Sequence, residues 1–71
     1  MEYEEDEMRL KRIIIYPKDI QRITGKSERF GRLMIQRIKE HLKKDDHHLV
    51  TVQEFSLYTG IDQELVEEFI D

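Results

Sequence analysis

The sequence predicts a mainly α-helical protein: four helices in two helix–turn–helix units, with two very short β-strands, in the order β-α-α-β-α-α. Three observations predict it. Apolar residues recur at spacings of three and four over most of the chain after residue 17, the signature of helices with one buried face. Gly25 and Gly60 interrupt these stretches where a left-handed stop would end a helix. Finally, IIYPKDIQRITGKS (14–27) and LVTVQEFSLYTGID (49–62) share one frame: two apolar residues, an acid four positions on, apolar residues one and four beyond it, then Thr-Gly-x-cap. Neither half could bury its apolar face alone, so the two should pack on each other.

The elements follow in order. Ile13-Ile14-Ile15 is a β-branched run and favours a strand. Pro17 suits a first helical position and Asp19 puts an acid in the first turn, so a helix is expected over about Pro17–Thr24. Ser27 is a good N-cap, and the helical pattern then runs to about Lys44. Phe30, Leu33, Met34, Ile38, His41 and Leu42 make its apolar stripe; Arg29, Arg32, Gln36, Lys39 and Lys43 make the wet one. Gly31 lies inside this helix at a cost of about 1 kcal/mol relative to alanine, which implies a close approach of the preceding helix. Leu49-Val50 is a second short strand. Thr51-Val52-Gln53-Glu54 fits the capping box that opens a third helix. Asp62 caps a fourth, expected over Gln63–Ile70, with Leu65, Val66, Phe69 and Ile70 as its stripe.

Seventy-one residues make one domain with a modest core. A homodimer or a protein partner would add to its stability. The chain has no cysteine, which excludes disulfides and thiolate zinc sites. No apolar run approaches the ~18 residues of a membrane span, and the acidic N-terminus is unlike a signal peptide. The expectation is a cytoplasmic protein with no membrane partner.

Charge is segregated behind a net −4. Residues 1–8 carry five acids and no base, and read as a disordered acidic arm. Residues 9–71 form the single helix–turn–helix domain. Within it, residues 9–48 hold all 12 Lys and Arg against five acids, whereas residues 49–71 hold six acids and no base. A basic block of this kind is the electrostatic footprint of polyanion binding. It is also compatible with three segments that neutralise one another inside one fold.

No nucleophile–base arrangement, phosphate loop or metalloprotease motif is present, so neither catalysis nor a small-molecule substrate is expected. His41, His47 and His48 lack metal-ligand spacing on a regular helix, and no metal or cofactor is expected. The stronger signal is the second helix. In a helix–turn–helix its N-terminal residues meet base edges in the major groove while the first helix crosses the backbone. Ser27, Arg29, Arg32 and Gln36 form its exposed stripe, and Arg and Gln can bond guanine and adenine bidentately. Lys18, Arg22 and Lys26, on the first helix and the turn, are placed for phosphates. The plain alternative is a solvated outer face. The one-sided sign favours DNA: up to Lys39 only Glu28 is acidic, against Arg29, Arg32, Arg37 and Lys39.

The stretch DIQRITGKS (19–27), followed by GRLMI (31–35), resembles the helix–turn–helix of small bacterial excisionase-like and MerR-like DNA-binding proteins. Gly25 matches their turn glycine and Gly31 the small residue of their second helix. The resemblance covers about residues 13–44 and implies a transcriptional regulator or recombination accessory. Those families continue into a β-hairpin wing, whereas this chain continues into a second helical pair. That pair is acidic at Glu64, Glu67 and Glu68, and phosphates would repel it. A rival expectation is a protein–protein interaction module that joins segregated basic and acidic faces without nucleic acid.

Overall fold

The structure, a computed structural model, describes residues 12–70. The acidic arm expected over residues 1–8 lies outside them. The described residues form four helices: α1 (Pro17–Thr24), α2 (Glu28–Leu42), α3 (Val52–Thr59) and α4 (Gln63–Glu67). Helix α1 packs on α2, α3 on α4, and α2 on α3.

The mainly helical class is as expected, but the two strands are not formed. The segments before α1 and α3 meet in one isolated antiparallel bridge, Ile14 with Thr51. Two backbone hydrogen bonds flank it, Ile15 N–H to Val50 O (3.0 Å) and Val52 N–H to Ile13 O (2.7 Å). Helices begin at Pro17 and Val52, so both segments turn away before a ladder can lengthen. This register sets Ile15 opposite Val50, the two residues that occupy the same place in the repeated frame. Both are buried, and they join Ile20, Ile38, Val52, Phe55, Val66 and Ile70 in a single core.

The repeat is carried into atomic detail. Asp19 and Glu54 each accept the N–H of the residue that precedes their helix, Tyr16 (2.8 Å) and Thr51 (2.9 Å). Ile20 and Phe55, next in line, are fully buried. Thr24 Oγ1 donates to Ile20 O (2.7 Å) and accepts from Lys26 N–H (3.1 Å). Thr59 Oγ1 repeats this with Phe55 O (2.8 Å) and Ile61 N–H (3.2 Å). Gly25 (φ 77°) and Gly60 (φ 81°) then take the left-handed conformation that glycine adopts without penalty. Ser27 and Asp62 cap the following helices by accepting from Phe30 N–H and Glu64 N–H.

Two stripes are met in part. On α2, Phe30, Met34 and Ile38 pack inward as expected and are joined by Gly31 and Ile35, whereas Leu33 (51% exposed), Leu42 (40%) and His41 are exposed. The close contact at Gly31 turns that side of α2 inward and carries Leu33 out. Helix α4 ends at Glu67. Beyond it the chain tightens into i→i−3 bonds from Glu68, Phe69 and Ile70 N–H; Val66 and Ile70 of the expected stripe are buried, while Leu65 and Phe69 are exposed.

Candidate nucleic-acid interface

Helix α1 braces α2 from behind. A Cβ built on Gly31 would lie 2.5 Å from Pro17 O and 3.0 Å from Pro17 Cα. Only glycine permits this approach. It fixes which face of α2 points inward, and therefore which face is offered to solvent.

The N-terminus of α1 is held by a second device. Arg12 makes a bidentate contact with Asp19, Nη1 to Oδ2 at 2.8 Å and Nη2 to Oδ1 at 3.0 Å. Asp19 is buried, at 2% exposure. Burial by itself raises its carboxyl pKa. The bond from Arg12, the N–H of Tyr16 and the charges of Arg12 and Arg22 outweigh this and hold it below the ordinary value. Glu54 follows the same pattern: burial raises it, and bonds from Thr51 N–H and Lys44 (3.1 Å) bring it below its ordinary value.

On the outer face of α2, Arg29, Arg32 and Gln36 are all exposed, opposite Gly31 and Ile38. At 100° per residue these three fall within about 60° of arc. Ser27 is exposed at the N-cap that precedes the stripe, and its Oγ accepts from Phe30 N–H at 3.1 Å, so it serves the helix cap first and keeps its hydroxyl proton and one lone pair to offer. Lys18, Arg22 and Lys26 are exposed on α1 and the turn. Lys26 Nζ lies over the Phe30 ring at 5.5 Å, and Arg22 lies close enough to Asp19 to lower its pKa. The basic face is not wholly of one sign: Arg32 pairs with Glu28 at 3.5 Å, an i, i+4 contact with both side chains well exposed. Such a pair is worth little in water and opens readily for a better anion.

Sequence patterning does not reveal the groove beside the stripe. It has a volume of about 310 Å³ and runs between α2 and the two bridge segments. Its lining combines the buried Ile15 and Val50 and the half-buried Ile35 with Arg32, Gln36 and Lys39 of α2 and with Tyr16, Pro17 and Leu49 of the bridge segments. Lys39 therefore joins the basic stripe at the groove, with Nζ also donating to Asp46 O (2.7 Å). Its three-residue spacing from Gln36 already placed it on that stripe. The groove itself needs three segments distant in sequence to meet.

In the loop after α2, Asp45, His47 and His48 bring ligand-type atoms within 4.8 Å of one another, all on exposed side chains. His48 Nδ1 already accepts from Asp45 N–H. Among the described residues no helix is long and apolar enough to cross a membrane.

Comparison with protein-family models, with curated proteins and with solved structures finds no match to this chain.

Proposed function

We propose that the chain is a small DNA-binding protein, a transcriptional regulator or recombination accessory, that docks α2 in the major groove. The observation that carries the reading is the exposure of Arg29, Arg32 and Gln36 along one face of a fifteen-residue helix, backed by a helix that contacts it through Gly31. The major groove admits one α-helix, and Arg and Gln side chains match its purine edges. Lys18, Arg22 and Lys26 then serve phosphates on either side. In this reading the excisionase-like and MerR-like resemblance is one of helix–turn–helix geometry, without the wing. No catalysis and no cofactor enter it.

The test is a mobility-shift series on mixed-sequence duplex across a range of salt. Binding should weaken steeply as salt rises, through counterion release. Arg29→Ala combined with Arg32→Ala should abolish the shift at moderate salt while leaving the circular dichroism spectrum unchanged. Full retention of affinity by that folded double variant would rule out the groove reading.

A second reading, a protein–protein interaction module without nucleic acid, is favoured by one observation on the other unit. Leu57 and Leu65 are 76% and 54% exposed, and Glu64 on α4 and Glu68 just after it are also exposed. Light scattering across ionic strength separates the two: association without DNA at low salt favours this reading.

A further inference from the structure

The groove beside α2 has a mixed lining: the apolar Ile35 and Val50 together with the cations Arg32 and Lys39. Leu49 at its edge is 56% exposed and Tyr16 is 47% exposed. At about 310 Å³ it has the size of a small ligand site and room for one aromatic side chain. Its cations are weakly engaged: Arg32 has one exposed carboxylate contact at 3.5 Å, and Lys39 uses one ammonium proton on a carbonyl. An apolar ring flanked by carboxylates matches this lining in size and charge.

The chain contains such a segment. Residues 1–8 read MEYEEDEM: one aromatic, Tyr3, with Glu2 before it and Glu4 and Glu5 after it. It is also tethered beside the groove. Ile15, in the groove lining, follows Arg12 by three residues. The nine residues from Tyr3 to Arg12 span up to roughly 30 Å when extended, enough to turn back across the groove. A short tether gives an effective concentration in the millimolar range, which a second copy in dilute solution does not reach.

We infer that the N-terminal acidic segment is an intramolecular occupant of this groove, with the Tyr3 ring against Ile35 and Val50 and its neighbouring carboxylates on Arg32 and Lys39. Arg32 and Gln36 belong both to the groove and to the proposed DNA-contacting stripe, so the segment is also a competitor of DNA. That second consequence rests on the DNA reading; the docking does not.

The test uses the full chain without DNA. The protein has no native cysteine, so Glu2→Cys carries a single nitroxide label cleanly. Amide signals of Gln36, Lys39 and Leu49 should broaden strongly at low salt and recover at high salt, while those of Leu57 and Glu64 stay sharp throughout. Adding Tyr3→Ala to the labelled chain should remove most of the broadening. Uniform broadening, or none at Gln36 and Leu49, overturns the inference. So does equal broadening of isotope-enriched protein that carries no nitroxide when nitroxide-labelled protein of natural isotope abundance is added, since the occupant would then be another copy. A separate measurement addresses the DNA reading. Tyr3→Ala with Glu4→Gln and Glu5→Gln should tighten duplex binding at least threefold at low salt. If groove broadening is present but no duplex binds either protein, the docking stands and the DNA reading fails.

Discussion

Pro17 and Gly31 are in backbone-to-backbone contact: a Cβ on Gly31 would sit 2.5 Å from the Pro17 carbonyl oxygen and 3.1 Å from its carbon. A glycine that costs about 1 kcal/mol inside a helix is thus the residue on which the approach of α1 to α2 depends. Gly31→Ala should therefore reverse the usual sign of a helix Gly→Ala change. Its propensity gain of about 1 kcal/mol is opposed by overpacking of about 1–3 kcal/mol, against main-chain atoms that cannot rotate away. We expect a net loss of stability and a lower Tm. A Tm equal to or above that of the parent would show that α1 yields easily.

The Arg12–Asp19 pair predicts acid sensitivity. Asp19 is held below its ordinary 3.8 and Glu54 below its ordinary 4.5. A carboxylate with a depressed folded pKa contributes stability at pH above its unfolded value and loses it as pH falls through the folded one. Thermal stability should therefore fall as pH drops below about 4.5, the range set by the two ordinary values. Asp19→Asn should cost about 1.5–3 kcal/mol at neutral pH, the range for hydrogen bonds to a charged group, and should flatten the acid limb. An acid limb that is just as steep in the variant would place the titration elsewhere.

The paired threonines offer an internal control. Thr24 and Thr59 each bridge a helix carbonyl four residues back and an N–H two residues on. Thr24→Val and Thr59→Val should each cost about 1 kcal/mol, the typical net value of such bonds, while Thr→Ser at either site should cost less. Denaturant midpoints read this directly. Unequal losses would mean that one copy of the frame matters more than the other.

On DNA the single variants should separate by role. Arg29→Ala and Arg32→Ala should cost about 1–3 kcal/mol each, and only on preferred sequences. Lys18→Ala and Lys26→Ala should weaken binding on all sequences alike and lower the salt slope by about 1 each, as phosphate contacts do. Titrations at several salt concentrations distinguish the two patterns. Equal, sequence-independent losses at all four positions would reduce the interface to non-specific charge.

Much of the helical plan was legible in the sequence because its signals are local. Pro17 and Gly25 bound α1, Ser27 starts α2, and Thr51 with Glu54 starts α3, each through bonds spanning two to four residues. The repeated frame was legible for the same reason. The β-strands were over-read. The β-branched run Ile13–Ile15 signals extended backbone, but a ladder also needs length on both sides, and helix starts at Pro17 and Val52 leave room for one bridge. The exposed stripe Arg29, Arg32 and Gln36 came from helical spacing alone.

The sequence by itself thus determined where helices start and stop, which acids cap them and where basic residues concentrate, because hydrogen bonds and side-chain periodicity act within a turn or two of chain. Only the tertiary structure decided the rotation of α2, the pairing of Arg12 with Asp19, and the groove that joins residues 15–17, 32–39 and 49–50. Each depends on contacts between segments distant along the chain. Their geometry is set by how closely two backbones can approach, here by the missing side chain at Gly31.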